Sequence, residues 1–413
     1  MVELPADIGD ELLARAAALA AFSEEEGALT RRFLTPAQRR ASAQVMAWME
    51  AAGITARIDP IGNVTGRWEG VSPGLPALIV GSHLDTVRDA GRYDGMLGVL
   101  AGTACVAALA RARQRLPFAV EVIGFADEEG VRFGTGLLGS HAVAGTFDPA
   151  WLALRDADGV TLAEALAAYG LPLGAIGAAA RRRSDVLAYL ELHIEQGPVL
   201  ERAGLPVGIV TAINGATRMT VAIAGTAGHA GTVPMAGRRD ALAAAAECAL
   251  AVEARCRSDG DLVGTVGTLA VRPGAINVIP GEARFTVDVR ASEDKRRRSA
   301  ADDILAANAA IAARRGVTLE QRVIHDQAAA PCAPWLMQRI ERAMRAEGLT
   351  PFSLPSGAGH DGMTMQAIAD IAMIFVRCAG GISHNPAEAI TAADAAAGTR
   401  VLLRTIAAFE PRA

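Results

Sequence analysis

The sequence predicts an α/β fold in two domains, with a mostly parallel central sheet in the larger one. Its 413 residues exceed the size at which a single hydrophobic core usually stops growing. Four short apolar runs alternate with helical patterns, which is typical of a parallel sheet covered by helices. A stretch in the middle of the chain has a different order of elements and predicts an inserted domain.

The elements of the larger domain follow from apolar spacing. Apolar residues recur at helical intervals over 8–22, 36–52 and 96–113, and Gly53 ends the second of these helices. Runs rich in Val, Ile, Leu or Phe with few charges predict buried strands over 77–81, 119–126, 186–192 and 371–377.

The middle stretch predicts a β-α-β-β-α-β unit, the arrangement of ferredoxin-like domains. Its strands are expected over 217–223, 262–271, 283–290 and 317–324, and its helices over 239–257 and 293–315. We therefore expect a catalytic domain formed by residues 1–215 and 329–413, with residues 216–328 inserted between them.

Composition excludes several classes of protein. The net charge of −5, from 40 basic and 45 acidic residues, argues against nucleic acid as a partner. The basic runs at 181–183 and 295–298 are interpreted as solvated surface. Lys295 is the single lysine, which argues against a Schiff base or a phosphate-loop lysine.

The expected location is the cytoplasm, in a reducing environment. The five cysteines form no C-x-x-C pair, and buried free thiols are the preferred interpretation. The N-terminus lacks the charged region of a signal peptide, and no apolar run is long enough for a membrane span, so no membrane partner is expected.

Metal-competent side chains follow each of the four predicted strands. Ligands bind at the carboxyl ends of the strands in open α/β sheets, so these four segments are expected to meet at one place. The segments are Gly81-Ser-His83-Leu-Asp85, Asp127-Glu128-Glu129-Gly, Glu191-Leu-His193-Ile-Glu-Gln196-Gly and Gly380-Gly-Ile-Ser-His384-Asn-Pro.

Three metal-competent residues, His83, Asp85 and Asp94, have specific chemical interpretations. His83 and Asp85 lie on one face of a strand end, where the carboxylate can accept the ring N–H that faces away from a metal; a hydrogen-bonded surface pair is the alternative. Asp94, on a glycine-rich turn ahead of a helix, can bridge two cations or cap the helix. No G-x-G-x-x-G sequence supports a nucleotide loop here.

The adjacent acids Glu128 and Glu129 can divide two tasks, one binding a metal and the other moving protons; a solvated acidic loop is the alternative.

Of the seven histidines, His141 and His325 are interpreted as structural or surface residues. Imidazoles combined with carboxylates suit Zn, Mn, Co or Ni better than Ca or Mg. The Gly70–Gly74 match to G-x-S-x-G precedes a strand, unlike a nucleophile elbow.

Eight motifs in order from residue 62 to 388 together resemble the hydantoinase/carbamoylase amidase family. That family includes N-carbamoyl-L-amino-acid hydrolases, allantoate amidohydrolases and β-ureidopropionases, within the superfamily of dinuclear-zinc aminoacylases and carboxypeptidases. The motifs are Gly-Ser-His83-Leu-Asp85-Thr-Val, Asp94-Gly, Glu128-Glu129-Gly, Glu191-Leu-His193-Ile-Glu-Gln196-Gly-Pro, Gly228-His229-Ala-Gly-Thr-Val-Pro-Met, Asn277-Val-Ile-Pro-Gly, Ser356-Gly-Ala-Gly-His360-Asp and Gly-Ile-Ser-His384-Asn-Pro-Ala-Glu.

The resemblance implies a zinc-exopeptidase-like catalytic domain that holds two divalent metal ions per subunit, zinc first and Mn, Co or Ni as alternatives. One metal would bind His83, Asp94 and His193. The other would bind Asp94, Glu129 and His384, with Asp94 bridging.

The resemblance also implies catalytic roles. Glu128 would be the general base that deprotonates a metal-bridging water and later protonates the leaving nitrogen, and Asp85 would be the partner of His83. Peptidase branches of the superfamily usually have a carboxylate at the position of His193, so this histidine favours the carbamoylase branch.

Residues for the substrate are implied in the same way. His229 and Asn277, on the inserted lid and dimerisation domain, would polarise the scissile carbonyl or contact the substrate, within one subunit or across a homodimer. Arg290 would clamp a substrate carboxylate, for which its planar fork is suited. Gln196 and the loop through Ser356, Gly357, Ala358, Gly359 and His360 would complete the pocket.

The expected function is hydrolysis of the C–N bond of a small carbamoyl or ureido acid, either an N-carbamoyl-L-amino acid or allantoate. An aminoacylase or dipeptidase is the alternative within the superfamily, and a non-catalytic binding relative is the alternative outside enzymes. Two departures from the family pattern, Gly362 and His141, leave the preferred substrate open.

Overall fold

The structure is a computed structural model that describes residues 2–412 and divides into two compact units. The first unit comprises Met1–Thr211, Cys332–Leu354 and Gly359–Ala413. The second comprises Ala212–Pro331 and Pro355–Ala358.

The helices and strands of the described residues follow one another in this order: α1 (Ile8–Ala20), α2 (Pro36–Ala51), β1 (Thr55–Ile58), β2 (Val64–Trp68), β3 (Ala77–His83), α3 (Met96–Arg111), β4 (Ala119–Phe125), α4 (Leu138–Ala144), α5 (Leu162–Tyr169), β5 (Val186–Ile194), α6 (Val199–Ala203), β6 (Val207–Ile213), β7 (Gly215–Ala224), β8 (Gly228–His229), α7 (Ala241–Arg257), β9 (Val263–Arg272), β10 (Val278–Ile279), β11 (Glu282–Ala291), α8 (Asp294–Arg315), β12 (Thr318–Gln327), β13 (Ala330–Pro331), α9 (Pro334–Ala346), β14 (Ser353–Ser356), α10 (Gly362–Met365), β15 (Ile371–Val376) and α11 (Ala392–Ala407).

The sheet of the first unit has the order β1-β2-β4-β3-β5-β15-β6. Its four middle strands, β4, β3, β5 and β15, are parallel to one another, and they are the four strands that the sequence predicts for the larger domain. Antiparallel strands flank them on both sides. The prediction of an α/β fold with a mostly parallel central sheet is therefore confirmed, although the antiparallel flanks were not predicted.

Tight packing fixes the level at which the parallel strands end. Every residue of β3 and β4 is buried, and α3 buries most of its length against them. A Cβ at Gly98 of α3 would overlap the carbonyl oxygen of Leu192, so glycine is needed for this close approach. The result is a rigid platform beneath the carboxyl ends of the strands.

The second unit contains a four-stranded antiparallel sheet in the order β12-β7-β11-β9, with α7 and α8 packed on it. β8 and β10 form a separate two-stranded pair. Pro355–Ala358 also belongs to this unit, whereas the sequence placed it with the end of the chain. A hydrogen bond distant in sequence holds this segment in the second unit: Asn214 donates its backbone N–H to the Ser356 carbonyl over 2.9 Å.

All five cysteines are buried and free, as predicted. Among residues 2–412, no single helix has the length and apolar character that crossing a membrane requires. One bent pair, Leu162–Tyr169 with Leu173–Ala179, passes that test by length and composition only.

Candidate metal centre

The ends of the four parallel strands bring the predicted metal-competent side chains together in the first unit. His83 is the last residue of β3 and His193 the penultimate residue of β5. Glu128 and Glu129 follow β4, and His384 follows β15. Four groups of three potential ligands form among the described residues. Asp94 belongs to two of these groups, and His83, Glu128 and Glu129 form another.

The first group is His83, Asp94 and His193, all buried. Asp94 Oδ1 lies 3.5 Å from His83 Nε2 and 3.2 Å from His193 Nε2, and the two imidazole nitrogens lie 3.4 Å apart. Four-coordinate zinc with bonds of about 2.0–2.1 Å separates its ligand atoms by about 3.3 Å. The spacing of the three atoms therefore fits a tetrahedral cation.

The tautomers of the two histidines support the same conclusion. His83 Nδ1 lies 3.0 Å from the Asp85 carbonyl and His193 Nδ1 lies 2.9 Å from the Ile194 carbonyl. A carbonyl only accepts, so in neutral rings Nδ1 carries the proton and Nε2 keeps its lone pair. Asp94 Oδ1, buried and without a hydrogen-bond partner among the described residues, faces both lone pairs. Three acceptor atoms that converge in this way fit the ligands of a bound cation.

The second group is Asp94, Glu129 and His384. His384 Nε2 lies 3.2 Å from Asp94 Oδ2 and 3.4 Å from Glu129 Oε1. His384 has a φ of 54° and Gln196, which contacts the same carboxylate, has a φ of 57°. Strained backbone of this kind is often found where a site requires one side-chain position.

Asp94 is a ligand candidate and not a helix cap. The N-cap of α3 is Gly95, with a φ of 77°. A Cβ at this position would overlap the imidazole of His83, so the glycine provides both the turn and the space for the ligand ring.

Asp85 contacts a different partner from the one predicted. Its carboxylate Oδ1 lies 3.7 Å from His83 Nδ1, and the ring bonds the Asp85 carbonyl instead. The two carboxylate oxygens accept the backbone N–H groups of Glu128, over 3.0 Å, and Glu129, over 3.1 Å. Asp85 therefore fixes the acidic pair, and it orients His83 through its main chain.

The electrostatics of the centre reflect its excess of carboxylates. Burial raises the pKa of Glu128 well above its usual value; nearby His83 opposes this, and Glu129 and Asp361 reinforce it. Burial likewise raises the pKa of Glu129 to about 7. For Asp94, burial acts in the same direction, but its three histidine neighbours hold the pKa well below the usual value.

Gln196, His360 and Gly359 lie beside these groups. Gln196 Nε2 donates to Asp94 Oδ2 over 2.9 Å. The buried His360 ring packs edge-on against His193, with centroids 4.5 Å apart, and burial lowers its pKa. A Cβ at Gly359 would lie 3.8 Å from Glu128 Oε1.

The remaining predicted residues belong to the second unit. His229 and Asn277 are exposed neighbours, since β8 pairs with β10 and the Ala230 N–H bonds the Asn277 carbonyl. Arg290 donates to both oxygens of Asp288, at 2.9 and 3.1 Å, and to the Gly357 carbonyl at 2.8 Å. Ser356 and Ala358 bond each other in the same loop as Gly357.

Comparison with known proteins shows which family the chain resembles. Residues 79–408 match the model of peptidase family M20/M25/M40. A solved amidase of the hydantoinase/carbamoylase family from Burkholderia multivorans is 31% identical, with a TM-score of 0.92 and all of both chains covered.

The chain belongs to the M20/M25/M40 family and, within it, to the hydantoinase/carbamoylase amidases.

Two curated relatives support the same placement of the amidase. N-carbamoyl-L-amino acid amidohydrolase of Geobacillus stearothermophilus is 45% identical, over 93% of this chain and 94% of the relative. Probable allantoate deiminase of Oryza sativa subsp. japonica is 42% identical, over 92% and 84%. The amidase is accordingly a hydrolase of C–N bonds other than peptide bonds, which confirms the predicted enzyme class.

Three residues beside the proposed ligands of the amidase had no predicted role. Ser383 and Glu388 both contact Asp94, and Glu191 forms a buried group with His193 and His360. Each lies in a motif that also carries a predicted ligand. Their place in these motifs could have marked the three residues as candidates. It could not show which atoms their side chains contact.

The two departures from the family pattern, His141 and Gly362, are in none of the potential ligand groups. In this amidase, His141 on α4 packs edge-on against Trp151 and contacts Thr146 through Nδ1, which fits the predicted structural role. Gly362 is the buried first residue of α10.

Proposed function

We propose that this amidase hydrolyses a small ureido or carbamoyl acid, an N-carbamoyl-L-amino acid or allantoate, at a centre of two divalent cations. One cation is held by His83, Asp94 and His193, and the other by Asp94, Glu129 and His384. Zinc is the first candidate, with Mn, Co or Ni as alternatives, because imidazole and carboxylate ligands suit these metals.

The main observation behind the proposal is that histidine nitrogens lie next to both carboxylate oxygens of Asp94. Oδ1 faces His83 and His193, and Oδ2 faces His384. A pair of bound cations supplies Lewis acidity, which polarises a substrate carbonyl and makes water more acidic at neutral pH. The names of the amidohydrolase and deiminase relatives point to the substrate class.

Glu128 is the proposed general base. It takes the proton of the attacking water and delivers it to the leaving nitrogen, which keeps the proton balance within one carboxyl group. Asp85 holds the Glu128 backbone N–H, so that the carboxyl group is presented from a fixed main chain. The Gly359 position leaves the space beside Glu128 Oε1 without a side chain.

Arg290 is the proposed recognition group for the substrate carboxylate. Arginine has five N–H donors, and Asp288 and Gly357 use one on each nitrogen. One N–H therefore remains on each terminal nitrogen. Two such donors side by side match the two oxygens of a carboxylate.

We further propose that the second unit is a ferredoxin-like lid and dimerisation domain, as its β-α-β-β-α-β order and antiparallel sheet suggest. His229 and Asn277 would polarise or contact the scissile carbonyl, and Gln196, Ser356, Gly357, Ala358 and His360 would complete the pocket. A cytoplasmic homodimer, acting on a small molecule without nucleic-acid or membrane partners, remains part of this proposal.

Ammonia release by the zinc-reconstituted enzyme tests the proposed function. The kcat/KM for allantoate is compared with that for a panel of N-carbamoyl-L-amino acids, with N-acetyl amino acids and dipeptides, assayed for free amino acid, as controls. We expect activity on a ureido or carbamoyl acid, and a hundredfold preference, about 2.7 kcal/mol, would identify which one. Preference for the acetyl or dipeptide substrates would contradict the proposal.

A further inference from the structure

Glu388 is a buried carboxylate that contacts the segment carrying Asp94 from the other end of the chain. It is 5% exposed and follows His384 in the loop after β15. Its Oε1 accepts the backbone N–H of Tyr93 over 2.7 Å and that of Asp94 over 3.2 Å. One carboxylate oxygen thus accepts two consecutive backbone N–H groups and fixes the main chain at Asp94.

The second oxygen of Glu388 reaches the side chain of Asp94 through Ser383. Ser383 Oγ lies 3.0 Å from Glu388 Oε2 and 2.7 Å from Asp94 Oδ2. Asp94 is therefore held at its backbone and at its carboxylate by one residue and its neighbour. Ser383 also precedes His384, so the same contacts join two proposed ligands that are distant in sequence.

The fold makes room for this carboxyl group. A Cβ at Gly91 would overlap the Glu388 carboxyl group, so only glycine allows the turn before Asp94 to approach so closely. Glu388 is itself fixed by a turn, since its backbone N–H bonds the Asn385 carbonyl over 3.0 Å.

From this geometry we propose that Glu388 is a positioning residue, which holds the bridging carboxylate of Asp94 in place for both cations through hydrogen bonds. The inference rests on the proposed metal centre. Partners that orient a ligand commonly contribute about 10- to 100-fold to metal affinity. Glu388 acts through Asp94 and Ser383 and contacts neither cation nor substrate.

Zinc titration of the metal-free full chain, in competition with a chromophoric chelator, tests the proposal without relying on activity. We expect Glu388→Ala to weaken zinc binding by about 10- to 100-fold. Glu388→Gln should keep most of the affinity. Its amide oxygen still accepts the two backbone N–H groups, and its amide nitrogen can donate to Ser383, which then donates to Asp94. Ser383→Ala should lose less affinity than Glu388→Ala, because it removes only one of the two connections.

Asp394→Ala is the matched control. Asp394 is a carboxylate of similar burial in the same unit, 3% exposed, and it bonds Arg377 and Thr391. Its loss should lower the stability of the metal-free protein without changing zinc affinity. The thermal stability of each metal-free variant is measured alongside, and Ser383→Ala keeps the test available should Glu388→Ala fail to fold.

The outcomes separate this inference from the proposed function. Wild-type zinc affinity in Glu388→Ala, or equal weakening in Glu388→Gln and Glu388→Ala, would overturn the positioning role while leaving the metal centre intact. Equal weakening in Asp394→Ala would also overturn it, because the effect would then be one of general stability. A wild-type chain that binds no zinc would overturn the metal centre itself, and the inference with it.

Discussion

At the scale of single residues, the proposed recognition of a substrate carboxylate depends on how Arg290 is held. Its guanidinium donates to Asp288 and to the Gly357 carbonyl, which leaves one N–H on each terminal nitrogen. Lysine would keep the charge but lose this fork.

We expect Arg290→Lys to raise KM for the carboxylate substrate by about 10- to 100-fold, with a smaller change in kcat. Asp288→Asn should raise KM less, because Arg290 keeps its charge but loses a fixed orientation. Steady-state kinetics check both, with Arg218→Ala as control, since the half-exposed Arg218 also pairs with Asp288. Unchanged KM in Arg290→Lys would argue against the clamp.

The sequence could predict most ligand candidates because they lie at or after the end of a strand whose apolar run is easily recognised. It could not predict the contacts of Asp85 and Glu388. Both carboxylates bond backbone N–H groups of segments distant in sequence, and Tyr93 and Glu388 are 295 positions apart. Main-chain donors leave no mark on residue type, so only the folded geometry shows them.

At the scale of elements, the turn between β3 and α3 limits which residues can precede the helix. Gly95 has a positive φ and a Cβ there would overlap the His83 ring. Alanine therefore faces two penalties, the left-handed backbone and the clash.

We expect Gly95→Ala to lower the free energy of unfolding by about 3 kcal/mol and to weaken zinc binding. Gly159→Ala is the matched control, because Gly159 has a φ of 80° with no atom within 4 Å of the Cβ position. It should cost about 1 kcal/mol and leave zinc affinity unchanged. Urea unfolding measures the first quantity, and equal costs in the two variants would show that the clash with His83 is absent.

Helices in which apolar residues recur at regular helical spacing were predicted to within a few residues. α3, for example, begins at Met96 as expected. Several strands of the first unit were not predicted, among them the short β1 and the buried β6. β1, Thr55–Ile58, has only four residues and alternates exposed with half-buried positions, so it is defined by pairing with β2 more than by its own pattern.

At the scale of the whole molecule, the proposed cations join segments from four strand ends, so their removal should reduce stability. A ligand that binds only the folded state stabilises it by about 2.7 kcal/mol at a hundredfold excess over Kd. We expect chelation to lower the Tm of the wild-type protein, measured by calorimetry, and added zinc to restore it.

His384→Ala provides the control for chelation. The His384 side chain is 49% exposed, so its loss should leave the Tm of the metal-free protein near the wild-type value. The increase in Tm on adding zinc should be smaller, because one ligand is missing. A full increase would show that His384 does not bind the metal.

The discontinuous second unit shows what a linear pattern misses at this scale. A change in the order of elements predicted an insertion, but Pro355–Ala358 joins that unit through hydrogen bonds to Asn214 and Arg290. Four residues carry no periodicity, so contacts of this kind are set by tertiary structure alone.

In the proposed mechanism, Glu128 moves the proton at a metal centre that other residues form. The most direct test is ammonia release by Glu128→Gln, loaded with two zinc ions, on the best substrate of the wild-type enzyme. We predict a loss of at least about 100-fold in kcat with zinc content unchanged, because the amide cannot accept the proton of water. Near-normal turnover by the zinc-loaded variant would contradict the account.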